Sequence, residues 1–261
     1  MTPGMWLAVD PARIVPEHAL VLHFPYAGGH AASYRSWAKR LGPGRDYVGV
    51  ELPGRGARFG EPFADSVDSV ADAVVSELVQ LPGHPVALFG HSVGALMAYE
   101  VAIRLEALGR PVLALVVSGQ RAPHDGPGHP RLADLPDDLF ITRLAELDLL
   151  DTTMFADPDL CDLFTPVLRA DLRMTEDYPW GRAQKIDSPV TALAGTSDRV
   201  LPPTALERWR QLARRDFRSA VVPGHHMFVT TSADTVVKEL RDALDAGPPS
   251  GPAPGRPEGD G

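Results

Sequence analysis

Apolar residues in this chain fall into short unbroken runs, separated by longer stretches in which they recur every three or four positions. The run Ala19–Phe24 stops at Pro25 and Gly28-Gly29, which predicts a buried strand feeding a tight loop. Similar runs at 47–52, 86–89, 113–117, 190–194 and 219–222 predict five more strands, the second stopped by Pro53-Gly54. Between them, 67–81 places Val67, Val70, Val74, Val75, Leu78 and Leu81 at helical spacing. Segments 33–41, 92–108, 206–213 and 233–244 also predict helices, and Gly109 closes the long apolar one. Strands apolar on both faces that alternate with helices predict an α/β fold, a mostly parallel sheet flanked by helices.

The rhythm breaks from about 132 to 180. Leu139, Leu144, Leu147, Leu149 and Leu150, then Leu160, Leu163, Leu168 and Leu172, keep helical spacing, and no good strand occurs. Lying between two core strands, this stretch predicts a helical insertion, either as extra core helices or as a lid over an active site. Residues 1–245 then form a single domain. Residues 246–261 read AGPPSGPAPGRPEGDG, a Pro/Gly-rich stretch without an apolar anchor, expected to be a disordered tail.

Composition narrows the functional classes. The 261 residues are 44% hydrophobic, enough for a substantial core. The one cysteine, Cys161, excludes an internal disulfide and Cys-rich zinc modules. Lys and Arg number 25 against 34 acidic residues, a net charge of −9, which argues against nucleic acid and anionic membranes as partners. The first ten residues have no basic and apolar leader pattern, and no apolar run approaches the roughly 18 residues of a membrane span. The expectation is a cytoplasmic monomer.

The chemistry concentrates after the third strand. Gly90-His91-Ser92-Val93-Gly94 is G-x-S-x-G in strand–turn–helix context, the nucleophile elbow of the α/β-hydrolase fold. The turn lifts the Ser92 hydroxyl clear of the sheet, and the helix N-terminus favours developing negative charge. A serine hydroxyl needs a base, and nine histidines compete. His225 and His226 follow the last strand, where this fold's Ser, acid, His order places the base. Asp198 follows the fifth strand and suits the acid, with Asp171 and Asp177 in the insertion as rivals. An oxyanion hole needs backbone N–H groups, expected from Val93 and from the loop after the first strand, at Tyr26 with Ala27 second.

Six segments in register carry a family resemblance. Phe24-Pro-Tyr-Ala-Gly-Gly29, Leu52-Pro-Gly-Arg-Gly56 with Arg58-Phe59 and Glu61-Pro62, and Phe89-Gly-His-Ser-Val-Gly-Ala95 are the first three. Ser118-Gly119 through Ala122-Pro123, Leu168-Arg-Ala-Asp171 and Pro223-Gly-His-His-Met-Phe228 complete the set. Together, over about residues 15–240, the chain resembles the type II thioesterases that accompany modular polyketide and nonribosomal peptide synthases.

The resemblance implies thioester hydrolysis by Ser92, His226 and Asp198, with Val93 and Tyr26 amides binding the oxyanion. It selects His226 because the family's PGGHF pattern puts its histidine there, while His225 stands where the family has glycine. It implies no metal or organic cofactor, since the phosphopantetheine belongs to an acyl or peptidyl carrier-protein partner. It also implies an editing role, removal of stalled or wrongly primed acyl chains. Arg208, Arg210, Arg214, Arg215 and Arg218 offer either a docking patch for an acidic carrier or an ordinary solvated face. The same triad could instead serve a carboxylester hydrolase or an acyltransferase, and a non-catalytic carrier-binding protein is the remaining class.

Overall fold

The computed structural model describes residues 5–9, 13–81, 83–110, 112–150 and 157–246. Six strands form one sheet in the order β2-β1-β3-β4-β5-β6: β1 Ala19–Phe24, β2 Arg45–Gly49, β3 Val86–His91, β4 Leu115–Ser118, β5 Val190–Gly195 and β6 Phe217–Val222. Every neighbouring pair is parallel. Parallel strands need crossovers, and helices supply them on both faces. Helices α1 (Val67–Leu78) and α2 (Val93–Ala107) pack with Leu20, Leu22 and Leu88 on one face. Helix α5 (Ala233–Asp245) packs with Val21, Ala87 and Phe89 on the other. Helix α1 begins with a capping box in which Ser66 and Ser69 each accept from the other's backbone N–H.

Several expected elements differ in detail. The 33–41 and 206–213 helices are 3-10 segments, Arg35–Arg40 and Pro203–Leu212. Apolar spacing does not separate a 3.0-residue turn from a 3.6-residue one over such short lengths. The second strand leaves the ladder at Gly49 because the chain then pairs elsewhere: Val50 bridges Leu7 antiparallel and Glu51 N–H donates to the Trp6 carbonyl. Strand β6 is half exposed, since it forms an edge of the sheet.

The insertion lies between β4 and β5 and carries α3 (Asp137–Glu146) and α4 (Pro158–Glu176). Leu132, Phe140, Leu144, Leu168 and Leu172 give it a small apolar core of its own, against which Ala27 packs. Its C-terminal foot is tied to α2, where Glu100 accepts from the Tyr178 hydroxyl at 2.6 Å and from Arg182 at 2.8 Å. The expected tail from residue 247 onward lies outside the described residues. No helix among the described residues is long and apolar enough to cross a membrane.

The loops leaving the C-terminal ends of β1, β3, β5 and β6 carry Tyr26, Ser92, Asp198 and His226 respectively. That end of a parallel sheet is where open α/β folds bind ligands.

Candidate active site

Ser92 stands between the last residue of β3 and the first of α2, with φ 55° and ψ −127°. A non-glycine residue in this region stores about 1–3 kcal/mol of backbone strain. The surrounding contacts hold it there. Ser92 N–H donates to the Ser118 carbonyl at 2.8 Å, and its own carbonyl accepts from Ala95 N–H at 2.8 Å. The flanking glycines are required by space. A Cβ on Gly90 would lie 2.0 Å from the Gly94 carbonyl oxygen, and one on Gly94 would lie 2.4 Å from that of Phe24.

His226 is 1% exposed, and its Nδ1 lies 3.1 and 3.0 Å from the two Asp198 carboxylate oxygens. Asp198 is fixed in turn, because its Oδ1 also accepts from the backbone N–H groups of Val200 (2.9 Å) and Leu201 (3.0 Å). With Nδ1–H donated to the carboxylate, Nε2 presents a lone pair. That atom is buried without a hydrogen-bond partner. Ser92 and His226 line one cavity with Tyr26, Ala27, Leu168 and Leu172, so the strained serine and the unpartnered imidazole border the same space. His225 points away, 62% exposed, with Nδ1 3.5 Å from Asp148 Oδ2. Of the rival acids, Asp177 pairs with Arg131 at 2.6 Å and is half exposed.

His91 is fully buried beside the elbow, its Nδ1 2.9 Å from Ser118 Oγ and its ring 5.0 Å from the His226 ring. Burial first, then the neighbouring His226, pushes its pKa well below the ordinary histidine value, so it is neutral near pH 7. It places no positive charge beside His226.

The loop after β1 turns through Tyr26, whose carbonyl accepts from Gly29 N–H at 2.8 Å. Gly28 sits at φ +79°, and Leu168 Cδ2 would be 2.8 Å from any Cβ there. Among the described residues the Tyr26, Ala27 and Val93 amides donate to no acceptor, and Tyr26 and Ala27 border the cavity that holds Ser92. These are the three amides expected at an oxyanion hole.

Residues 20–244 match the Thioesterase domain family. The chain is a member of the thioesterase family. It is 34% identical over 232 residues to the AMB antimetabolite synthetase AmbE of Pseudomonas aeruginosa, covering 88% of this chain and 11% of that much longer protein. Among solved structures, RedJ, a thioesterase of the prodiginine biosynthetic pathway in Streptomyces coelicolor, is 38% identical with a TM-score of 0.82. That likeness covers 90% of this chain and 92% of RedJ. BorB, a type II thioesterase from the borrelidin biosynthetic cluster, is 29% identical with a TM-score of 0.82, covering 92% and 97%. The expected α/β fold and the expected relation to type II thioesterases are both borne out.

Two features of this thioesterase were not readable from its sequence. The carboxylate on His226 is that of Asp198, not that of Asp171. Asp171 is buried against Arg55, with its Oδ2 accepting from Gly28 N–H. The spacing of 116 residues hides that pairing, although Arg55 and Asp171 each stand inside a recognisable motif. The arginine cluster is also locally balanced: Arg208 pairs with Asp125, Arg210 with Glu207, Arg214 with Asp187 and Arg218 with Glu239. Four of the five arginines therefore present ion pairs rather than a bare cationic face.

Proposed function

We propose that this thioesterase hydrolyses acyl chains from the phosphopantetheine arm of acyl or peptidyl carrier proteins. In polyketide or nonribosomal peptide synthesis this removes aberrant or stalled chains. The observation that carries the reading is the buried, unpartnered His226 Nε2, aimed by Asp198 into the cavity it shares with strained Ser92. Family membership supplies the thioester bond as the target.

Ser92 Oγ attacks the thioester carbonyl while its proton passes to His226 Nε2. Asp198 holds the imidazole tautomer and stabilises the imidazolium. The oxyanion is received by the amides of Val93 and Tyr26, with Ala27 next in the turn. The C–S bond then breaks, and the pantetheine sulfur leaves with the proton from Nε2. A thiol of pKa about 8.5 is a good leaving group, so a modest site suffices. Water attacks the acyl–Ser92 ester by the same proton route, releasing the acid and restoring the serine. These steps use side chains and amides alone, without a metal or organic cofactor. The apolar wall given by Leu144, Leu149, Leu168 and Leu172 suits an acyl chain, and the insertion that supplies it acts as the lid over Ser92.

The test offers the enzyme an acyl-phosphopantetheinyl carrier protein and a simple ester, and follows released acid by mass. Turnover of the acyl-carrier, abolished by Ser92→Ala, is expected. Fast ester turnover beside an untouched acyl-carrier would overturn the reading in favour of a carboxylester hydrolase.

A further inference from the structure

The Arg55–Asp171 pair has no place in the proton route, yet it is among the most enclosed charge pairs in the molecule. Asp171, on α4, is 0% exposed in its side chain, and Arg55, in the loop after β2, is 8% exposed. The contact is two-pronged: Arg55 Nη1 meets Oδ2, and Nη2 meets Oδ1 at 2.7 Å. Desolvating two charges is costly, and an apolar pair of similar volume usually serves stability as well or better. Its other contacts supply a reason for the charge. Asp171 Oδ2 accepts from the Gly28 backbone N–H at 2.8 Å, and Arg55 Nη1 donates to the Gly29 carbonyl at 3.3 Å. Apolar side chains could make neither bond.

Resting on the reading of the site given above, we propose that Arg55 and Asp171 are positioning residues that aim the Tyr26 and Ala27 amides at the oxyanion. Gly28 and Gly29 close the turn that begins at Tyr26, and Gly29 N–H returns to the Tyr26 carbonyl. Bonds to Gly28 N–H and Gly29 C=O fix the orientation of the peptide planes next to those amides. The carboxylate grips the turn, and Arg55 cancels a negative charge that would otherwise oppose an oxyanion forming nearby. The same helix presents Leu168 and Leu172 to the cavity, so one carboxylate sets the acyl-binding wall and the oxyanion turn in a common frame.

The test uses the full chain with Asp171→Ala, Asp171→Asn and Arg55→Lys, assayed on an acyl-pantetheine thioester. Two probes accompany the kinetics: an alkyl boronic acid, which binds serine as a tetrahedral anion, and a non-hydrolysable acyl-pantetheine thioether. Loss of one oxyanion donor costs about 100- to 1,000-fold in kcat, so misaiming it is expected to cost about 10- to 100-fold. Asp171→Ala should lower kcat by that factor with KM within about twofold, because the oxyanion exists only in the transition state. Boronate affinity should fall in parallel while thioether affinity stays. Asp171→Asn, which keeps an acceptor for Gly28 N–H, should recover part of kcat. A purely structural pair would lower the melting temperature and leave kcat of the folded enzyme and boronate affinity unchanged, and that result overturns the proposal. If Asp171→Ala does not fold, Asp171→Asn and Arg55→Lys carry the same readings. Ser92→Ala separates the two levels. If it retains turnover, the site reading fails. If it is inactive while the pair variants match wild type, the positioning role alone fails.

Discussion

Gly94→Ala tests the active-site geometry with one added methyl group. The new Cβ would lie 2.4 Å from the Phe24 carbonyl oxygen and 2.6 Å from that of Pro25, where ordinary contact begins at 3.4 Å. The gap to be opened is therefore 3.4 minus 2.4, or 1.0 Å. Both obstructing atoms are backbone, so no side-chain rotation relieves the clash. Strand β1 is held between β2 and β3, with Phe24 in register with Gly90, so its end cannot drift freely. The displacement falls on the loop that carries Tyr26 and Ala27, moving their amides away from Val93. A misplacement of about 1 Å in a catalytic group costs on the order of 100-fold in rate, equivalent to about 2.7 kcal/mol of transition-state stabilisation. Overpacking of this kind destabilises by about 1–3 kcal/mol, and each kcal/mol lowers Tm by about 2–4 °C in a domain of this size. The assay is thiol release from an acyl-pantetheine thioester, with calorimetry on the same samples. Gly44→Ala is the control: it lies at the far end of the sheet, at φ +73° with nothing within 4 Å, so it strains the backbone without touching the site. A folded Gly94→Ala enzyme with kcat within about threefold of wild type would refute the reasoning.

Other outcomes follow from the same geometry. His226→Ala should remove at least about 1,000-fold of kcat, while exposed His225→Ala keeps most of it; single-turnover acylation of Ser92 distinguishes them, and the reverse order would show the wrong neighbour was chosen. Asp198→Asn should leave the fold intact and cost about 10,000-fold in kcat through the wrong imidazole tautomer, read as kcat against Tm. Burial lowers the pKa of His23 well below its ordinary value, so below about pH 6.5 the unfolded chain binds the proton and the folded one resists it. The stability His23 contributes as a neutral group is complete above that pH and is lost as pH falls, by up to about 1.4 kcal/mol per pH unit. His23→Phe, set among Tyr34, Tyr47 and Phe89, should flatten the acid limb of a urea-denaturation series by that slope, and an unchanged limb would contradict it.

What the sequence revealed divides by the range of the forces involved. The elbow is legible because its determinants are adjacent: glycines at 90 and 94 are dictated by contacts the turn makes with itself and with the end of β1. The strands of the sheet centre are legible because burial on both faces leaves an unbroken apolar run, as in β3 and β5. Edge strands blur that signal. Strand β6 is exposed or half-buried at every position before Val222, and the register of β2 ends where Gly49 admits the Ala31 backbone within 2.2 Å of a would-be Cβ. The 3-10 segments read as α-helices because their apolar spacing fits either turn. Choosing His226 over His225 rested on a motif position, and the structure supplies the physical difference in burial and in the bond to Asp198. The grip of Asp171 on Arg55 and Gly28 and the pairing of the surface arginines depend on long-range side-chain geometry, which no local pattern records.

The layout of the sheet also bears on how the enzyme can be re-engineered. Ser92, Asp198 and His226, the triad proposed above, ride on loops from β3, β5 and β6, whereas the cavity wall comes largely from one contiguous stretch between β4 and β5. A graft of that stretch from a relative with a different acyl preference exchanges the wall in a single cassette without cutting through Ser92, Asp198 or His226. Its compatibility is set at the junction with the loop after β2: an incoming cassette without a carboxylate at 171 would strand Arg55, and one that carries it meets a ready-made socket.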